Sequence, residues 1–198
     1  MFQFLFLFDL FVVLLQWGDE VLERQLCKLQ SSRVRNATTY IYPLWKTLLH
    51  KWFSDPHCKV IIATPFIDTT RLVDICNIVL EHRITANLDA IYVQRHCDQN
   101  QMIYDIKQKA LDKFDAKEQM YLEYKIYSNI IYPSRRFGAK FIACTNGNET
   151  EVLVTSADFH GDHFDLNSMD TVLYQKMTDV EFVAKFLGQI NASVLKSD

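Results

Sequence analysis

The chain has 198 residues, of which 49% are hydrophobic and 23% are charged, and it contains five glycines and four prolines. This composition is typical of one globular domain and excludes a disordered, repetitive or collagen-like chain. The formal net charge of −3 excludes a surface built as a whole to bind nucleic acid.

The most apolar stretch of the chain is residues 1–17. A spanning helix needs about 20 apolar residues, whereas this stretch is shorter, contains Asp9 and lacks a preceding Lys or Arg. Three interpretations stay open: a poor signal sequence, a buried helix, and an anchor through which residues 1–17 would associate with a membrane. A helix is predicted over 18–31, so we assign 1–36 to a hydrophobic N-terminal segment and helix, and 37–198 to the main domain.

The next part of the chain alternates helices and strands. Apolar residues at helical spacing predict a helix over Ala37–Phe53, and the continuous apolar run Lys59–Thr64 predicts a strand covered on both faces. Asp68 is expected to cap the following helix, Leu88–Gln94 to form a second strand, and residues 102–114 to form another helix. This alternation predicts an α/β fold with a mixed, largely parallel central sheet and helices on both faces.

The second half of the chain is richer in strand patterns. A strand is predicted over Tyr121–Tyr127, and Phe137–Cys144 and Glu151–Thr155 predict a β-hairpin around an Asn-Gly turn. A last strand over Thr171–Gln175 precedes the capping box Thr178-Asp179-Val180-Glu181, which opens a final helix.

The cysteines indicate the redox state of the chain. Cys27, Cys58, Cys76, Cys97 and Cys144 are odd in number, and no two of them form a Cys-x-x-Cys pair. This pattern predicts free thiols in a reducing compartment, which favours an intracellular location and argues against a structural zinc site. The sequence predicts no cofactor and no metal ion.

Three short polar segments follow one another in a recognisable order. Gly138-Ala139-Lys140 opens the predicted hairpin, Thr155-Ser156-Ala157-Asp158 ends it, and Asn167-Ser168-Met169-Asp170 precedes the last strand. This order resembles the phospholipase D superfamily, whose motif is His-x-Lys, then an Asp, then Gly-Ser-x-Asn and Asn-x-x-Glu. The resemblance covers roughly Ala37 to Ile190 and implies a phospholipase D-like domain over 37–198.

The resemblance also implies roles for individual residues. It assigns five polar side chains to one phosphate site: Lys140, Ser156 and Asn167 as phosphate-binding residues, and Asp158 and Asp170 as supporting residues. In the family the motif histidine attacks phosphorus to give a phosphohistidine, and no metal is needed. Gly138 occupies that nucleophile position and has no side chain. The leading hypothesis is a degenerate domain, a pseudoenzyme that binds a phosphate-bearing ligand or a protein partner.

Two alternatives stay open beside this hypothesis. His160 or His163 could replace the missing imidazole, which would make the chain an active, metal-independent phosphodiesterase acting on a phospholipid or a nucleic acid. The His- and Asp-rich stretch 158–165 could hold a metal ion, although ligands so close in sequence rarely complete a tetrahedron alone.

The number of motif copies predicts the assembly. In the family two copies face each other across one active site, and this chain has room for one. The resemblance therefore implies a homodimer whose two-fold axis passes beside Lys140 and its mate. A strictly monomeric chain in solution would contradict this expectation.

Overall fold

The computed structural model describes residues 26, 32–35, 37–97, 101–164 and 169–191. The apolar run 1–17, almost all of the helix predicted over 18–31, and Asn167 lie outside the described residues, so the division at residue 36 stays a prediction. Within the described part of the chain, no helix is both long and apolar enough to cross a membrane.

The centre of the fold is a seven-stranded sheet with the strand order β1-β9-β8-β7-β2-β3-β6. Its strands are β1 (Ser32–Arg35), β2 (Lys59–Ala63), β3 (Leu88–Tyr92), β6 (Ile130–Ile131), β7 (Phe141–Thr145), β8 (Glu149–Thr155) and β9 (Met169–Thr178). Two further strands, β4 (His96–Cys97) and β5 (Gln101–Met102), pair only with each other.

Among the described residues, six helices accompany the sheet: α1 (Ala37–Ser54), α2 (Thr69–Glu81), α3 (Ile103–Leu111), α4 (Ala116–Lys125), α5 (Asp179–Phe182) and α6 (Gly188–Asn191). A π-helical turn, Val183–Leu187, joins α5 to α6. The cap that Asp68 was expected to provide is confirmed, because its carboxylate accepts a hydrogen bond from the Arg71 amide at the start of α2.

The α/β class and the mixed sheet are confirmed, but the sheet is not largely parallel. Of the strand pairs in the described part of this sheet, β2/β3 and β3/β6 are parallel, whereas β1/β9, β2/β7, β7/β8 and β8/β9 are antiparallel. Helical crossovers separate β2, β3 and β6 along the chain, and such crossovers produce parallel neighbours. The tight turn at Gly147, whose φ is 95°, instead folds β8 back onto β7 as a hairpin.

Apolar side chains are buried on both faces of the sheet. On one face, Trp45 and Phe53 of α1 are buried in a cluster with residues of α2, α3 and the central strands. On the other face, Phe141 of β7 packs against Phe182 and Phe186 of the C-terminal helical segment. The predicted placement of helices on both faces is therefore confirmed.

One predicted strand is wrong. Residues Tyr121–Tyr127 lie in α4 and in the start of the 3-10 turn Tyr127–Asn129. Asp115 and Glu118 form a capping box that opens α4, and this local signal outweighs the strand propensity of the tyrosines and isoleucine that follow.

The prediction of free thiols is wrong for one pair of cysteines. Cys58 and Cys144 are joined by a disulfide, with a Cα–Cα distance of 5.6 Å, because antiparallel pairing of β2 with β7 brings them together. Because these two cysteines are not free thiols, they no longer support the inference of a reducing compartment. Cys76 is free and buried, and burial raises the pKa of its thiol to about 12, which makes it unreactive at neutral pH.

The capping box predicted at Thr178 is confirmed and can be tested by mutation. The Thr178 hydroxyl accepts a hydrogen bond from the Glu181 amide, and the Glu181 carboxylate accepts one from the Thr178 amide. Thr178→Ala is expected to lower the free energy of unfolding by about 1 kcal/mol, because an orphan amide of the first turn loses its acceptor. Urea unfolding followed by circular dichroism measures this change. Thr178→Ser is the matched control, and equal losses in both variants would contradict the assignment.

Candidate functional site

The polar residues of the sequence motif lie at one edge of the sheet. β2 and β8 end at this edge, whereas their antiparallel neighbours β7 and β9 begin there. Thr64 directly follows β2, Lys140 directly precedes β7, Ser156 directly follows β8, and Asp170 is the second residue of β9. Loops at the ends of packed strands are where binding and catalytic groups usually lie.

Asp158 lies at the centre of this group. Its side chain is 2% exposed, and its Oδ2 atom lies 2.8 Å from Nζ of Lys140. Its Oδ1 atom accepts hydrogen bonds from the Thr64 hydroxyl and the Phe66 amide, both at 3.3 Å. Lys140 also donates to the carbonyl oxygen of Ser156 at 2.8 Å. A buried carboxylate needs such partners, because an uncompensated charge in the protein interior is costly.

His163 lies beside this ion pair. The 3-10 turn Gly161–Phe164 carries it and places its Nε2 atom 3.3 Å from Oδ2 of Asp158 and its Nδ1 atom 3.5 Å from Oδ1 of Asp170. The imidazole is one-third exposed, whereas both carboxylates are buried. The structure therefore places an imidazole beside the Lys140–Asp158 ion pair.

Ser156 and Asp170 form the other side of the group. The Ser156 hydroxyl donates to Oδ1 of Asp170 at 2.7 Å and accepts a hydrogen bond from the Thr171 amide at 2.9 Å. The second carboxylate oxygen of Asp170 is buried and has no hydrogen-bond donor among the described residues. The Ser156 hydroxyl thus already links the loop after β8 to β9.

The start of α2 anchors the loop that carries His163. Asp68 accepts a hydrogen bond from the Gly161 amide at 2.8 Å, and its own amide donates to the carbonyl of Phe159 at 2.9 Å. Phe159 in turn stacks on Trp45 of α1, with 4.0 Å between the ring centroids. Sequence reasoning identified Asp68 only as a helix cap and missed this second role, since no local pattern connects it with Gly161.

The strand predicted over Phe137–Cys144 begins only at Phe141. The chain must cross from β6 to β7, past the positions of β3 and β2, so the residues before Phe141 cannot pair as a regular strand. Gly138 lies in this irregular segment, and a Cβ atom added there would meet no atom within 4 Å. The absence of a side chain at position 138 is therefore not imposed by crowding.

The candidate residues have different outcomes. Lys140, Ser156, Asp158, His163 and Asp170 come together at the sheet edge. His160 contributes its carbonyl oxygen, which accepts a hydrogen bond from the His163 amide at 3.2 Å. Asn167 lies outside the described residues.

No protein-family model matches the sequence, and no curated protein matches it either. The structure is similar to that of Nuc, a phospholipase D family member from Salmonella typhimurium, at 13% identity and a TM-score of 0.45, over 75% of this chain and 86% of Nuc.

Two other solved structures are similar as well. NucT from Helicobacter pylori has 14% identity and a TM-score of 0.43, over 83% of this chain and 95% of NucT. Phosphatidylserine synthase from Haemophilus influenzae has 15% identity and a TM-score of 0.49, and 89% of this chain spans 41% of that protein. At identities of 13–15%, these similarities concern the fold alone.

The central role of Asp158 can be tested through stability. Asp158→Ala is expected to lower the free energy of unfolding by roughly 3 kcal/mol, because it removes one partner of a largely buried ion pair and the acceptor for Thr64 and Phe66. Urea unfolding measures the effect. The matched control is the exposed Asp112→Ala, which is expected to change stability by less than about 0.5 kcal/mol. Similar losses in both variants would contradict the role of Asp158.

Proposed function

We propose that this chain is a phospholipase D-like domain that acts by binding a partner and does not form a phosphohistidine. The observation that carries the proposal is the 2.8 Å ion pair between Asp158 and Lys140 in a site whose nucleophile position is Gly138. The lysine that would hold a phosphate is already bound to a carboxylate, and the imidazole that would attack phosphorus is missing from its motif position.

The charges of the site support this proposal. Asp158 stands where the family motif has Asn, so it presents a carboxylate oxygen in place of an amide that could donate a hydrogen bond to phosphate. Asp158 pairs with the ammonium of Lys140, and a second buried carboxylate, Asp170, lies on the other side of His163. A phosphodiester anion would be repelled by both carboxylates and would have to compete for the lysine.

These charges also favour one class of partner over another. The sequence left a phosphate-bearing ligand and a protein as alternatives, and phosphate binding by Lys140, Ser156 and Asn167 was the more specific expectation. Lys140 is already paired with Asp158, and the Ser156 hydroxyl already donates to Asp170. A phosphate would have to compete with these contacts, so we favour a protein partner. The homodimer implied by the single motif copy stays a prediction, which light scattering of the purified chain in solution tests.

Restoring the motif tests the loss of catalysis. Hydrolysis of bis-p-nitrophenyl phosphate, measured with a chelator present, is expected to be absent in the wild type. Gly138→His is expected to give measurable turnover because the position has room for a side chain. Adding Asp158→Asn is expected to increase turnover further, because it frees the ammonium of Lys140 for the substrate.

The controls for this experiment are close in sequence. Ala139→His places an imidazole at the adjacent position and is expected to stay inactive, which would exclude a nonspecific effect of an added histidine. Turnover by the wild type that is lost in Lys140→Ala would refute the proposal. A fluorescence or calorimetric titration with inorganic phosphate serves as a second readout, in which the Asp158→Asn variant is expected to bind more tightly than the wild type.

A second candidate function follows from the position of His163. An imidazole whose two nitrogens face Asp158 and Asp170 at 3.3 and 3.5 Å, beside a lysine, is suited to transfer a proton or to attack phosphorus. This candidate keeps the active phosphodiesterase that the sequence left open, with His163 in place of the motif histidine. We rank it second because the same two carboxylates would repel an anionic substrate.

Mutation of His160 and His163 distinguishes this candidate function from the binding function proposed above. If the wild type hydrolyses bis-p-nitrophenyl phosphate, His163→Gln is expected to reduce kcat by at least about 100-fold, which is the usual contribution of an acid–base group. His160→Gln is the matched control and is expected to retain activity. Equal activity in wild type and His163→Gln would exclude this candidate.

A further inference from the structure

A second group of potential ligands lies away from the motif, between α1 and α2. His50 belongs to the last two turns of α1, Glu81 is the last residue of α2, and His82 is its C-cap. His50 Nδ1 lies 3.2 Å from His82 Nε2 and 3.5 Å from Glu81 Oε2. One ligand atom of each residue lies within 4.8 Å of the others.

Two of the three separations between these ligand atoms match the geometry of a tetrahedral metal site. Zinc–nitrogen bonds of 2.0–2.1 Å at a tetrahedral angle place neighbouring ligand atoms about 3.3 Å apart. The two distances from His50 Nδ1, 3.2 and 3.5 Å, lie on either side of this value. Two imidazole nitrogens and one carboxylate oxygen suit zinc and similar transition metals, and they do not suit magnesium or calcium, which prefer oxygen ligands.

The backbone around this group is held in place. The His82 amide donates to the carbonyl of Ile78, and the carbonyl of His82 accepts from the amides of Thr85 and Ala86. The Thr85 hydroxyl donates to the carbonyl of Phe53 at the end of α1. Ligands carried by two helices that are tied together in this way need little rearrangement to bind an ion.

Nearby charges are compatible with a cation. Lys46 lies one turn before His50 on α1, and its ammonium pairs with Asp74 at 3.5 Å. Tyr42 also donates a hydrogen bond to Asp74. A cavity of about 390 Å³ adjoins the group, and its lining includes Lys46 together with the acidic residues Asp74, Glu81 and Glu118. The cavity leaves space for water or a small ligand at a fourth coordination position.

We infer that His50, Glu81 and His82 bind one divalent cation of the zinc type, with the fourth position open to the cavity. Three protein ligands and one open position are the arrangement of exchangeable or catalytic zinc sites, whereas purely structural sites have four protein ligands. The ion would join the end of α1 to the end of α2. This site is independent of the proposed function at Lys140 and Asp158, which needs no metal.

Titration of the full chain with cobalt and zinc tests the inference. Protein treated with chelator and then dialysed is expected to bind one equivalent of Co²⁺ with the visible absorption of a tetrahedral site, and Zn²⁺ is expected to displace it. Zn²⁺ is also expected to raise the Tm of the wild type, because an ion that binds only the folded chain stabilises it. His50→Gln and His82→Gln are expected to weaken Co²⁺ binding by more than about 100-fold, since even changes in outer partners of a metal cost 10–100-fold.

Two further variants make the test decisive. Glu81 is 63% exposed, so Glu81→Gln is expected to fold normally. It is expected to weaken Co²⁺ binding by at least about tenfold, the loss of affinity that we expect from removing one weak ligand. His57→Gln, at an exposed position outside the group, is the matched control and is expected to bind like the wild type. Absence of the cobalt spectrum in the wild type, or equal affinity in Glu81→Gln and His57→Gln, would overturn the inference.

Discussion

The ion pair between Lys140 and Asp158 holds together one edge of the sheet. The carboxylate of Asp158 is almost fully buried and contacts the residues that follow β2, the lysine that precedes β7 and the imidazole of His163. A charge in such a position is tolerated only when it is paired and hydrogen-bonded. The three chain segments must therefore meet in one arrangement for the edge to be stable.

The same pair is the basis of the proposed function. Against the motif that the sequence resembles, Asp158 replaces an amide and Gly138 replaces a histidine, and we propose that both changes act against binding and attack of a phosphodiester. The edge keeps the geometry of a site, because Lys140, Ser156 and Asp170 remain close to one another, while its hydrogen-bonding groups are directed at the protein itself. The imidazole of His163 lies within this group.

The two ends of helix α2 contact two different groups of polar residues. At its start, Asp68 binds the loop that carries His163, and at its end Glu81 and His82 face His50 of α1. A helix of 13 residues separates its ends by about 20 Å, at 1.5 Å per residue, so the two groups of polar residues do not share contacts. The polar residues at the sheet edge and the proposed metal site can therefore be mutated separately.

Features that depend on neighbours along the chain could be predicted from the sequence: the helix over Ala37–Phe53, the Asp68 cap, the Asn-Gly hairpin turn and the Thr178 capping box. The strand predicted at Tyr121–Tyr127 was wrong because a capping box and strand propensity competed over the same residues. Features that join distant residues needed the tertiary structure: the Cys58–Cys144 disulfide, the balance of parallel and antiparallel pairs, His163 beside Asp158, and His50 beside Glu81 and His82. Local propensity and spacing act over a few residues, whereas these contacts depend on which strands and helices become neighbours, and that is decided by packing of the whole domain.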